Sequence, residues 1–194
     1  MKYVKILGLL AVAASALMAF AATASATTIT SPTGTSYTGT IHASSEGTTT
    51  LHGEALSVSC KKSTVTGTLS THGSSVTASG PISTLDFSEC GDDVVTVKQN
   101  GSLEAHGTAT GATLTSTGAI ITIHTHLFGI NCTYETKNTD IGNLTDSHSA
   151  ATTGATLDID SSLIPRVGDS VFCGEFGEWT GSYLVSTPSH LYVD

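Results

Sequence analysis

The sequence predicts an all-β, antiparallel domain, a β-sandwich or barrel-like fold, carried behind an export leader and stapled by two disulfides. Three observations predict it. Apolar residues recur at alternate positions in short runs. Gly, Asn, Asp and Ser separate those runs at short intervals. An even number of cysteines, four, is spread through the chain beyond the leader. After residue 26 there is no long stretch of Leu, Glu, Lys and Gln to favour a helix.

The leader comes first. Lys2 and Lys5 form a short positive region, Ile6 to Phe20 is apolar apart from small residues, and Ala24-Ser25-Ala26 supplies the small side chains that signal peptidase requires. We therefore expect residues 1–26 to be removed and 27–194 to be a secreted, extracellular domain. The apolar run is short for a bilayer core and no basic stop signal follows it. No membrane attachment is expected after cleavage.

Strand-period runs follow. Leu56, Val58 and Cys60 share one face, as do Ile130, Cys132 and Tyr134, and Val171 and Cys173. Leu85 and Phe87 lead into Cys90. Val95 and Val97 mark a further strand, Ile121 and Ile123 another, and Trp179, Gly181, Tyr183 and Val185 share a face near the end. Asn100-Gly101, Gly91-Asp92-Asp93, Gly168-Asp169 and Thr187-Pro188 read as turns. Thr, abundant throughout, suits a pleated and half-exposed surface.

Four cysteines allow three pairings. We adopt Cys60–Cys90 with Cys132–Cys173, which closes each loop within one half of the chain. Each bridge should stabilise by about 3.5–4 kcal/mol. No Cys-x-x-Cys occurs, so a zinc site built on thiolates is not expected.

The halves also resemble each other, as an internal repeat over 37–99 and 100–194. Gly39-Thr40-Ile41-His42-Ala43 is echoed by Gly101-Ser102-Leu103-Glu104-Ala105, about 62 residues on. Each half then runs through an apolar strand to a cysteine (Cys60; Cys132), a Gly-x-Leu, and a second cysteine (Cys90; Cys173). A duplication predicts two similar β-units, side by side or merged into one sandwich.

Charge excludes some function classes. The formal net charge is −9, and loss of Lys2 and Lys5 takes it to −11. Only Lys61, Lys62, Lys98, Lys137 and Arg166 are basic beyond the leader, so nucleic acid and anionic membranes lack the basic stripe that they require.

Few residues could carry chemistry. His124-x-His126 would put two imidazoles on one strand face, with His106 or Asp140 as a third metal ligand; the plainer reading is a solvated face. Asp158-x-Asp160, with Asp169 beyond, could offer oxygens to calcium, or again form a solvated face. Trp179 and Tyr183 could stack on a sugar ring, or belong to the core. There is no Gly-x-Ser-x-Gly, His-Glu-x-x-His or phosphate-cradling motif. No enzyme activity and no cofactor are expected.

Finally, Leu85-Asp86-Phe87-Ser88-Glu89-Cys90, Ala155-Thr156-Leu157-Asp158-Ile159, Pro165-Arg166-Val167-Gly168, Cys173, Trp179-Thr180-Gly181-Ser182-Tyr183 and Leu191-Tyr192-Val193 resemble a pattern in uncharacterised exported proteins of high-GC Gram-positive bacteria. The resemblance implies a bacterial, exported β protein and carries no activity or functional residue. The expectation is a non-catalytic secreted or cell-envelope module, its partner a protein or cell-wall component. A carbohydrate-binding module is the alternative, and a metal-dependent hydrolase comes third.

Overall fold

The computed structural model describes residues 29–30, 35–54, 56–71, 77–108, 111–145, 154–168 and 172–193. The leader, Ala55, Asp169 and Val171 lie outside them. The strands are β1 (Ile29–Thr30), β2 (Thr38–Ser45), β3 (Thr49–Gly53), β4 (Leu56–Cys60), β5 (Lys62–Thr71), β6 (Thr77–Ser88), β7 (Val94–Gln99), β8 (Ser102–Thr108), β9 (Gly111–His124), β10 (Asn131–Thr145), β11 (Thr156–Val167), β12 (Phe176–Thr187) and β13 (Tyr192–Val193). No helix occurs among the described residues.

Eight strands close into an antiparallel barrel, in the order β2-β5-β6-β8-β9-β10-β11-β12, with β12 returning to β2. Three further strands extend it. β3 continues β2 along the same edge of β12, and β4 leads into β5. β7 continues into β8 along β9. The chain therefore winds up and down, each leg beside the next, and full closure removes the long Thr-rich edges that would otherwise pair with other chains. The two sequence halves share this one sheet: β12 of the second lies against β2 and β3 of the first, and β7 of the first lies against β9 of the second.

The long strands keep their apolar side chains inward only because bulges reset the alternation. In β9, Ala112 and Leu114 are buried at even positions, but Ala119, Ile121 and Ile123 at odd ones. The parity changes across Gly118, which adopts φ 72°. Opposite it the β9–β10 register slips between Glu135 and Lys137, and it slips again between Lys137 and Thr139 around Asn138, at φ 57°. A one-residue slip without such a bulge would turn every following side chain to the other face. Gly118→Ala should cost about 1–2 kcal/mol, the ordinary penalty of a side chain in the left-handed region, read from the shift of a urea unfolding midpoint. An unshifted midpoint would remove the bulge's role.

One joint between neighbouring strands is held by a side chain. β6 pairs with β8 only from Thr77 to Pro81. Beyond that Asn100 takes over: its Nδ2 donates to the Ser83 carbonyl (2.7 Å) and its Oδ1 accepts from the Leu85 N–H (3.3 Å). Asn100-Gly101 is thus the turn that the sequence suggests and also the clip between two diverging strands. Asn100→Ala should cost about 1–3 kcal/mol by stranding those backbone groups, and amide exchange at Leu85 should speed up with it.

Both disulfides form as expected, Cys60–Cys90 and Cys132–Cys173. Cys60 and Cys132 are buried on the inner faces of β4 and β10. Cys173 departs from its expected place. It sits in the turn before β12 and not on a strand, and is buried because the bridge and Tyr134 hold it there. The Tyr134 ring fits because Gly53 and Gly177, paired across β3 and β12, leave it space: a Cβ on Gly177 would lie 2.9 Å from the ring. The Tyr134 hydroxyl donates to the Cys173 carbonyl at 2.5 Å.

The core centres on Trp179, whose ring meets Phe87 edge-on at 5.7 Å and Tyr183 at 6.2 Å. Its indole N–H donates to the Tyr183 oxygen (3.3 Å), Tyr183 donates to Ser63 (2.9 Å), and Ser63 donates to the Asp86 carbonyl (2.8 Å). A buried relay of polar groups thus joins β12, β5 and β6, every member with a partner. Burial pushes the Tyr183 phenol above its ordinary value, against the opposing pull of the bonds to Ser63, Thr49 and Trp179; burial does the same to Tyr134, against Arg166. Up to about pH 10, the ordinary tyrosine value, stability is undiminished. As pH climbs from there through the raised folded values the unfolded chain loses phenol protons that the folded chain keeps, so stability must fall. Urea midpoints measured between pH 8 and 11 should decline only in the upper part of that range.

At the other end an apolar void of about 50 Å³ remains, bordered by Leu69, Leu103, Leu114, Leu144, Ile29 and Leu191. The short β1–β13 pair crosses this end and sets Ile29 and Leu191, both buried, over it.

Candidate functional site

Among the residues singled out in the sequence, the barrel separates most and brings together few. His124 is the last residue of β9, and its Nδ1 lies 3.0 Å from Asn131 Oδ1. His126 does not share its strand face, because the chain has already entered the turn; its backbone N–H donates to Asp93 Oδ1 at 2.9 Å. His106 sits near the opposite end of the β8–β9 pair, opposite Thr113 and 3.8 Å from Glu104. Thr113 and His124 are 11 residues apart on one strand, about 36 Å. Asp140, paired with Thr115 and bonded to its hydroxyl, is nearly as remote. The imidazoles and their proposed third ligand cannot meet on one ion.

Asp158 and Asp160 do point outward from the same face of β11, as period two requires. Asp158 is occupied by the sheet itself: Ser182 Oγ donates to it at 2.7 Å and Thr156 Oγ1 at 3.5 Å. Among the described residues no three His, Cys, Asp or Glu side chains are disposed to hold a metal. A shallow depression of about 270 Å³ at the β3–β4 and β11–β12 turns is lined by His52, Glu54, Glu175, Phe176 and Glu178. It is open and acidic.

Trp179 and Tyr183 are core. Trp179 is 5% exposed and Tyr183 0%, so neither ring offers a face to a sugar. The stacking alternative loses both residues for one reason: a closed barrel has an inner face, and their odd-numbered positions on β12 fall on it.

A feature that the sequence reading missed stands out at the end of the barrel where the disulfides lie. Six large apolar side chains stay exposed among the described residues: Val94, Leu127, Phe128, Val167, Phe172 and Phe176. They are far apart in sequence, yet the register gathers them. Val94 opens β7 opposite His124, and Asn131 flanks His124 on the other side. Leu127 and Phe128 form the β9–β10 turn. Val167 pairs with Thr133, Phe176 with Pro165, and Phe172 adjoins Cys173, which is bonded to Cys132. Leu127 is 81% exposed, Phe128 68% and Phe172 61%, so these three project from the surface.

Three backbone N–H bonds close the base of the projecting turn. Thr125 N–H donates to the Ile130 carbonyl (3.0 Å), Gly129 N–H to the Thr125 carbonyl (2.9 Å), and His126 N–H to Asp93. Gly129 takes φ 61° to close it. The available signal was Leu127-Phe128 between two strands, where a polar turn pair is the rule. It went unread because one apolar turn means little until other loops join it in space.

Compared with models of known protein families, with curated proteins and with solved structures, the chain matches none of them.

Proposed function

We propose that the protein is a non-catalytic β-barrel, exported to the cell surface or beyond, that works as an interaction module through the apolar end formed by Leu127, Phe128, Phe172, Phe176, Val94 and Val167. The observation that carries this reading is the convergence of those six side chains on one end. Exposed large apolar side chains gathered on one end mark a contact site, as scattered single ones do not. The pinning of two of those loops supports it, since loops already fixed lose little entropy on contact. Export is supported by the leader pattern and by two disulfides, which persist in oxidising compartments.

The test is fractionation of the producing cells. The wild-type chain should stay with the envelope, and a folded Leu127→Ser/Phe128→Ser/Phe172→Ser variant should appear in the medium. Equal retention of the two would refute the reading. A glycan array and metal analysis of the purified protein address the sugar-binding and hydrolase alternatives.

A further inference from the structure

We infer that the apolar end seats on a neutral, zwitterionic lipid surface, with Leu127, Phe128 and Phe172 entering the headgroup–acyl boundary. This rests on the interaction reading above and names the component contacted, in place of the protein or wall component that the sequence suggested and against its expectation of no membrane attachment.

Three observations favour lipid over a protein partner. The first is shape. Side chains exposed by 61–81% stand clear of the protein, so a partner must surround them on all sides. Acyl chains do this without a matching pocket. The second is the backbone. A segment entering an apolar medium must satisfy its own N–H groups. In the β9–β10 turn the N–H groups of Thr125, His126 and Gly129 bond within the protein, to Ile130, Asp93 and Thr125. The base of the turn is thus closed on itself, and the N–H groups of Leu127 and Phe128, which make no backbone bond, stay at headgroup level while their side chains enter the boundary.

The third is charge. Among the described residues the basic side chains toward this end are Arg166, beside Val167, Lys98, four residues along β7 from Val94, and Lys61 and Lys62, beside Cys60; Lys62 is paired with Glu89. Glu54, Asp92, Asp93 and Glu175 lie at turns of the same end. Such a rim gains nothing from an anionic surface. It also keeps the contact shallow, because carboxylates must stay in water. The apolar tips then enter the boundary while the acidic turns remain at headgroup level.

The experiment is co-sedimentation of the disulfide-bonded secreted chain with phosphatidylcholine vesicles. Wild type should partition to the vesicles to an extent unchanged between low salt and about 0.5 M salt, beyond which surface charge is screened. Leu127→Ser/Phe128→Ser, with an unaltered circular-dichroism spectrum, should partition at least about tenfold less, the order expected for two apolar side chains. As a second variant Phe172→Ser, on a separate loop, should weaken partitioning independently.

Wild type that stays in the supernatant would overturn the inference. So would partitioning that needs phosphatidylglycerol and disappears in salt, or that is indifferent to all three substitutions. If vesicles fail while the triple variant still leaves the envelope fraction, the lipid assignment falls and a protein or wall contact at the same end stands.

Discussion

Replacing Trp179 with alanine should destabilise the barrel by about 3–5 kcal/mol, the range for emptying a large aromatic site in a core. Trp179 fills the space between Phe87 and Tyr183 and donates the first bond of the relay to Ser63 and Asp86. Its removal leaves a void on the inner faces of β6 and β12 that a closed sheet cannot readily collapse into. Against a total stability of 5–15 kcal/mol for an ordinary domain, such a loss is a large share. Urea denaturation followed by far-UV circular dichroism would measure it as a lower midpoint at constant slope. Trp179→Phe should recover part of the loss, since it restores apolar volume without the N–H. A surface sugar platform predicts the reverse: little change in stability and loss of ligand. A cost below about 1 kcal/mol for the alanine variant would mean that the ring is not packed as described.

The second large effect belongs to Cys132–Cys173. Changing both residues to alanine should cost about 4 kcal/mol in the chain-entropy model, for cysteines 41 apart in sequence. The Cys60–Cys90 bridge, with a separation of 30, should be worth almost as much, because loop length enters only as a logarithm. The two should differ in consequence. Cys173 anchors the loop that carries Phe172, so the Cys132→Ala/Cys173→Ala variant should lose vesicle partitioning as well as stability, even under conditions where it stays folded. Cys60→Ala/Cys90→Ala should lose stability with partitioning retained. Equal loss of partitioning in both would show that global stability, and not the Phe172 loop, governs contact. Thermal melts at matched concentration, with sedimentation well below the midpoint, separate the two readouts.

Much of the fold was legible because alternation is a local signal. Leu56, Val58 and Cys60, or Ile121 and Ile123, declare an inner face without reference to any other strand, and all five are buried. Cysteine spacing favoured one pairing for a similar reason: short loops close within a half. Sandwich and barrel stayed unresolved because closure is a single non-local event, β12 meeting β2, and no local pattern encodes it. The parity change across Gly118 also escapes a simple period count, since it looks like two short strands rather than one long bulged strand.

Candidate sites were less legible. His124 and His126 satisfy period two on paper, but the strand ends between them, and a period count does not locate such an end. Trp179 could be read as core or platform until the inner face was fixed. The apolar end illustrates the converse: Val94, Phe128 and Phe172 are unremarkable singly, and only register makes them neighbours.

The β1–β13 pair has a practical consequence for engineering. Ile29 lies opposite Val193 and Thr30 opposite Tyr192, so the two ends of the barrel chain stand one strand spacing apart, about 4.8 Å. A short glycine-rich link could splice them, and new termini could then be opened at a hairpin of the same end without passing through the apolar tips. Circular permutants built this way would keep every leg beside its present neighbours, and they would let a reporter be attached at the end opposite the apolar tips.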